Sequence, residues 1–409
     1  MKNLFRGAFG PAFSSASNAA FRSASKPALP EETKSAAQPL VALQLSPHAR
    51  WSPRDYGGLV REGYQKNAVV YRCVRLISEA AASVPLCVRR DGACREGDPA
   101  AQFISGGHPM ASATDVMERF YGYLQLGGNA YFEAGLIDGI PRALYALRPD
   151  RMSVALGRDG WPAGYDYEAA GRTRRFRRDA STGRSAVHHM RLFHPASDAY
   201  GFSPLEAAAS AVDVHNEGGR WAKALLDNSA RPSGALIYRG GEGMDRLSDE
   251  AFDRLKSELE GQHSGARHAG RPMVLEGGLD WKAMSLTPAD MDFIEARREA
   301  AREIALAFGV PPMLLGMPGD NTYANYKEAN LAFWRQTIIP LVRKTAQGMQ
   351  GWLQPFFGDD LDIAADVDAV PALSEERGRL WKRLSEASFL TDAERRHIAG
   401  LTEEEAAHG

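Results

Sequence analysis

Two helical stretches joined by a short loop of proline and glycine, between Leu286 and Leu353, constrain this chain more than any other feature. Thr287-Pro288-Ala289-Asp290 opens the first with a capping hydroxyl, a proline whose missing N–H costs nothing, and an acid in the first turn. Met291, Ile294, Ala301, Ala305 and Phe308 recur at helical spacing as an apolar face, with Glu295, Arg298, Glu299, Arg302 and Glu303 interleaved as a charged one. Gly309 and Pro311-Pro312 stop that helix. A polar loop follows, and a second helix starts near Thr322 or Tyr323. It carries Tyr326, Phe333, Trp334, Ile338, Leu341 and Val342, with Pro340 expected to kink it. No catalytic constellation falls in this stretch, which reads as a mechanical part.

The 409 residues allow two or three domains with ample core. Lys plus Arg (49) nearly balance Asp plus Glu (51), so any contact with nucleic acid must come from local charge. No apolar run is long enough to span a bilayer, and no membrane partner is expected. Cys73, Cys87 and Cys94 are odd in number and lack metal-ligand spacing. They read as buried or idle thiols in a reducing compartment, without a disulfide framework. A Walker A loop, a dinucleotide glycine fingerprint, HExxH and GxSxG are all missing, so neither cofactor nor hydrolytic chemistry is expected.

Residues 1–50, rich in Ala, Ser and Pro, read as a disordered arm; a cleaved transit-type peptide is the alternative. Asn67 caps a helix to Ala82, and Val84–Val88 follows as a strand whose Pro85 implies an edge or a strand start. A second helix spans Ala113–Leu126 and ends at Gly127-Gly128. Short strands follow at Asn129–Leu136, within 143–156, at Gly164–Ala169 and at Ala186–Phe193. Ser203-Pro204 launches a helix to about Asn228. A compact insert comes next: a strand at Ser233–Arg239, a helix capped by Ser248 with Phe252 and Leu255 on its apolar face, and a hairpin from Arg271–Leu275 to Leu279–Met284 that includes Trp281. Beyond Phe357 an acid cluster reads as a solvated linker, followed by helices around 375–387 and from Thr391. The fold class is α+β.

Two features invite chemistry. Arg172-Thr173-Arg174-Arg175-Phe176-Arg177-Arg178 has the composition of a nucleic-acid contact, and equally of a solvated hairpin or subunit contact. His188, His189 and His194, with Asp198 nearby, are metal-ligand types. Adjacent histidines on a strand face opposite ways, however, which favours structural roles.

Five motifs in order resemble those of portal proteins, the head–tail connectors of tailed bacteriophages and gene-transfer particles. They are Arg72-Cys73-Val74-Arg75-Leu76-Ile77 with Ser83-Val84-Pro85-Leu86; Gly128-Asn129-Ala130-Tyr131; Gly201-Phe202-Ser203-Pro204-Leu205; Phe308-Gly309-Val310-Pro311-Pro312-Met313-Leu314-Leu315-Gly316 with Asn321-Thr322-Tyr323-Ala324-Asn325; and Thr337-Ile338-Ile339-Pro340-Leu341. The resemblance runs from about Tyr64 to Leu401, departing at His108-Pro109-Met110, where Met110 stands in place of the family's usual Asn.

The resemblance implies a structural protein rather than an enzyme, with an α/β wing, helical stem, small α/β clip, long kinked helix and short helical crown. Its divisions would be 51–203 (wing), 204–230 and 285–310 (stem), 231–284 (clip), 311–322 (tunnel loop), 323–357 (long wing helix) and 358–409 (crown). It implies a ring, usually of twelve subunits, at one capsid vertex. Its partners would be double-stranded DNA, the major capsid protein, the terminase large subunit and a head–tail adaptor. Met313, Gly316, Met317, Gly319, Asp320, Asn321 and Thr322 would face DNA. Glu295, Arg298, Glu299 and Arg302 would touch neighbouring subunits, and Phe252, Leu255 and Trp281 would belong to the clip. Two other readings compete: a nucleic-acid-binding module on Arg172–Arg178, and a metal-dependent hydrolase using His188, His194 and Asp198.

Overall fold

The computed structural model describes residues 52–90, 93–179, 181–227, 288–317 and 323–399, together with 235–238, 250, 253–254, 257 and 279–282. A single turn, α1 (Tyr56–Leu59), leads to α2 (Ala68–Ala82). Asn67 caps α2 by accepting from the amides of Val69 (3.0 Å) and Val70 (3.2 Å), which otherwise lack helical partners. Val70, Cys73, Val74, Ile77 and Ala81 form its buried face, as their spacing predicts. A short helix, α3 (Pro99–Gly106), precedes α4 (Ala113–Gly127), which opens with a capping box between Ser112 and Asp115. Gly128 ends α4 at φ +66°; a Cβ there would lie 2.6 Å from the Phe202 backbone, so both conformation and space require glycine.

Three antiparallel three-stranded sheets follow from this start. In the first, β1 (Leu86–Arg90) lies between β2 (Ala93–Cys94) and β11 (Asp362–Ala365). In the second, β3 (Asn129–Ile137) is flanked by β4 (Ile140–Leu147) and β8 (Val187–Arg191). The third runs β5 (Met152–Leu156), β6 (Pro162–Ala169), β7 (Arg172–Arg177). A two-stranded pair joins β9 (Ala235–Tyr238) to β10 (Leu279–Lys282), with Trp281 opposite Leu236.

Ser203 caps the turn α5 (Pro204–Ala207), and α6 (Ala209–Asp227) continues beyond it. Packed along α6 is α7 (Pro288–Ala307), with Trp221 and Phe293 stacked at 5.1 Å. The second long helix comes in two parts, α8 (Tyr323–Phe333) and α9 (Ile339–Phe357), joined by a π-turn over Trp334–Ile338. The interruption expected at Pro340 takes this form. Pro340 has no N–H for the Gln336 carbonyl, and the wider turn, with Ile339 N–H bonded to the Trp334 carbonyl, accommodates its ring. The chain ends its described part with α10 (Ser374–Glu386) and α11 (Asp392–Ala399), the latter opened by the expected Thr391–Glu394 capping box.

The core gathers α2, α3, α4, β3 and α9. Phe120 and Phe132 stack at 3.7 Å, Phe103 meets Trp352 edge-on at 6.2 Å, and the Trp352 indole donates to the Ser185 carbonyl at 2.8 Å. Burying each such aromatic is worth about 1.5–3 kcal/mol.

Three expectations need correction. Cys87 and Cys94 form a disulfide, because the β1–β2 hairpin sets them diagonally across from one another with Cα atoms 5.8 Å apart; only Cys73 is free, and it is buried. The acid stretch after Phe357 is not simply a solvated linker, since Asp362–Ala365 pairs with Leu86–Arg89 and Asp360 pairs with Arg90. That pairing makes β1 a central strand, and Pro85, directly before Leu86, marks its start, the second of the two positions its proline implied. Finally, Ile294 is exposed rather than part of the apolar face of α7. The described partner of Leu279–Lys282 is β9, while the expected hairpin strand Arg271–Leu275 lies outside the described residues.

Candidate channel segment and subunit-contact face

At the end of α7 the chain turns through a double cap. Gly309, at φ +66°, donates to the Leu306 carbonyl (3.0 Å), and Val310 donates to Ala305 (2.9 Å). Thr337, in the π-turn, donates its hydroxyl to the Gly309 carbonyl at 2.6 Å and so pins this corner to the long helix. Pro312–Leu315 then makes a 3-10 turn, ended by Gly316 at φ +72°. Leu314 and Leu315 pack against the core, so Met313 belongs to an anchored turn rather than to a free loop. Met317 closes the described part of this segment; Gly319, Asp320, Asn321 and Thr322 lie outside the described residues. Between Pro311 and Thr322 the sequence holds one charge, Asp320, and neither Lys nor Arg.

The charged stripe of α7 is exposed as its spacing predicts. Arg298 pairs with Glu295 at 2.9 Å and Arg302 with Glu299, both at i,i+3. Pairs this exposed contribute about 0–1 kcal/mol, leaving them available to exchange partners. One residue on this stripe was not anticipated: Leu306 is 79 % exposed. It borders a cleft of about 590 Å³ with Arg302, Pro311, Pro312 and Gln336. Its position three and four residues after Glu303 and Arg302 was the signal that placed it among charges rather than in the core. Of the expected clip residues, Trp281 lies in β10, whereas Phe252 and Leu255 are outside the described residues.

The other chemical candidates are not assembled into sites. The basic run forms the edge strand β7, where Phe176 is buried, Arg174 pairs with Glu133 (2.6 Å) and Arg175 with Asp166 (2.6 Å). His188 is buried against Trp352 and over Gly348, and burial pushes its imidazole down to about 4. His189 bonds Asn129 and is pushed down to about 3, chiefly by burial, while the His194 ring accepts from the Ala196 amide. Among the described residues no three His, Cys, Asp or Glu side chains come together as metal ligands. No helix among them is long and apolar enough to cross a membrane.

A model of the phage portal protein family matches residues 68–400. The chain belongs to the phage portal protein family. That family is structural rather than enzymatic, and the mixed helix-and-sheet fold is of its type. Among solved structures, this chain is similar to a subunit in the neck of a native gene transfer agent particle, computed with C12 symmetry. The two are 47 % identical, the match covers 87 % of this chain and 97 % of the other, and the TM-score is 0.67. The portal protein of Enterobacteria phage HK97 is 25 % identical over 70 % of this chain and 67 % of its own length. An uncharacterised protein of Rickettsia felis is 41 % identical over 85 % of this chain and 91 % of its own.

Proposed function

We propose that this chain is the subunit of a twelve-membered ring at one vertex of a phage or gene-transfer particle, the channel through which DNA is packaged and released. The observation that carries the reading is the likeness, 47 % identical over 87 % of the chain, to a subunit of a neck computed with C12 symmetry. In this reading residues 51–203 are the wing that meets capsid protein, and 204–230 with 285–310 form the stem. Residues 231–284 are the clip that docks the terminase large subunit and later the head–tail adaptor. Residues 311–322 line the channel, 323–357 brace the wing, and 358–409 form a crown. The exposed charges of α7 suit a ring, where a heterologous interface sets one face of a subunit against a different face of its neighbour.

The channel segment supports the same reading. Each phosphate neutralised adds salt-dependent affinity and hence drag on moving DNA, and the stretch from Pro311 to Thr322 has no cation to neutralise one. Native mass spectrometry and electron-microscope averages of the purified protein test the proposal. A ring of about twelve copies with an open channel is expected; a compact dimer overturns it. Deleting residues 316–321 is expected to leave rings intact and to lower the DNA content of particles, and normal DNA content would refute the channel role of that segment.

A further inference from the structure

The π-turn Trp334–Ile338 and helix α10 enclose a second cleft, of about 740 Å³, whose walls carry Arg335, Arg377, Arg379, Lys382 and Arg383. Part of this charge is already used. Arg335 pairs with Glu376, Arg377 pairs with Asp368 and lies 4.7 Å over the Trp381 ring, and Arg379 reaches Glu375 at 3.7 Å. What remains is Lys382 and Arg383, neither of which has an acid partner among the described residues, and the Nε–H of Arg377, which is buried without an acceptor. A buried donor without an acceptor is costly, so an acceptor that reached Arg377 from the cleft would be stabilising. One lining carboxylate, Glu386, is also unpaired and opposes an anion.

We propose that this cleft binds the phosphodiester backbone of double-stranded DNA. Arg379, Lys382 and Arg383 stand at i, i+3 and i+4 on α10 and present their charges on one face over about 6 Å of helix. Phosphate oxygens are acceptors without donors of their own, which matches the Lys382 ammonium and the Arg383 guanidinium, donors that the lining carboxylates Asp368, Glu376 and Glu386 leave unpaired. The inference rests on the reading of the chain as a DNA channel subunit, because that reading brings DNA rather than an acidic protein to this surface. Two free cations make a weak site: about two neutralised phosphates give a salt slope near −1.8 and a loss of about 12-fold between 50 and 200 mM salt. These figures are for one subunit, and in a ring they rise with the number of subunits that touch the duplex.

The test uses the full-length protein, its oligomeric state recorded first by native mass spectrometry, and a fluorescein-labelled DNA duplex whose binding is followed by anisotropy across that salt range. The expected result is binding whose salt slope falls by about 2 for each subunit in contact with the duplex in the Lys382→Ala/Arg383→Ala variant, and which tightens in Glu386→Gln. An unchanged slope overturns the proposal. So does displacement of the DNA by polyglutamate acting through Lys382 and Arg383 at equal charge concentration, which would mark the cleft as a site for an acidic protein segment. Should the double variant fail to fold, Glu386→Gln decides alone, and unaltered DNA affinity overturns the site. Failure of the ring reading shows separately, as the absence of rings in the mass measurement.

Discussion

Arg174, on the exposed edge strand β7, reaches Glu133 of β3 at 2.6 Å and ties the two larger antiparallel sheets together. Glu133 is only 7 % exposed. Burial pushes its carboxyl up, and the charge and hydrogen bond of Arg174 pull it back. Removing the arginine leaves a buried acid unpaired, so Arg174→Ala is expected to cost about 1–3 kcal/mol in urea unfolding. Adding Glu133→Leu to that variant should recover part of the loss, because no charge then needs a partner. A cost under about 0.5 kcal/mol would reduce the pair to an ordinary surface contact.

The Cys87–Cys94 bond predicts a thiol count. Protein isolated without reductant and then denatured should react with a thiol reagent once per chain, through Cys73, and three times after reduction. In the folded protein Cys73 should not react, since burial raises its thiol to about 12. Closing so short a loop stabilises by about 2 kcal/mol, which Cys87→Ser should forfeit. Three reactive thiols in the unreduced protein would remove the bond from the account.

Helix ends were legible in the sequence because their chemistry is local. Asn67, Ser203 and Thr391 cap the amides that lie two or three residues ahead of them. Strand partners were not. β11 pairs with β1 across most of the chain, and nothing in Asp362–Ala365 names Leu86–Arg89 as its neighbour. The same distinction separates the parts of the proposed functional surface. The charged stripe of α7 follows from helical spacing within a single segment. The basic cleft exists only because folding carries Arg335 to the side of α10, and its residues look in sequence like separate solvated charges. The Cys87–Cys94 bond is hidden from the sequence for a related reason: the pairing depends on the register of a hairpin whose second strand is two residues long.

His188 predicts a loss of stability in acid. Its imidazole is held down to about 4 by burial, against an ordinary value of 6.5, so the unfolded chain takes up a proton first as the pH falls. Its contribution is therefore complete above pH 6.5 and disappears as the pH falls to about 4, by roughly 3 kcal/mol. His189, held down to about 3, extends the loss further. Denaturation measured between pH 7 and 4 should be less steep in pH for His188→Gln than for the parent. Equal pH dependence would mean that His188 titrates alike in both states.

Gly309 and Thr337 define the corner from which the proposed channel segment departs, and they should respond as a coupled pair. Alanine at 309 must adopt φ +66°, which costs about 1–2 kcal/mol, and its Cβ would stand 2.9 Å from the Thr337 hydroxyl. Thr337→Ala alone gives up the hydrogen bond to the Gly309 carbonyl, worth about 1 kcal/mol. In the double variant the close contact disappears while the backbone strain remains. Its cost should therefore fall short of the sum of the two singles by more than the 0.3–0.5 kcal/mol or so seen for independent sites. A strictly additive cycle in denaturant unfolding would show that the corner yields on its own and that the π-turn does not hold it.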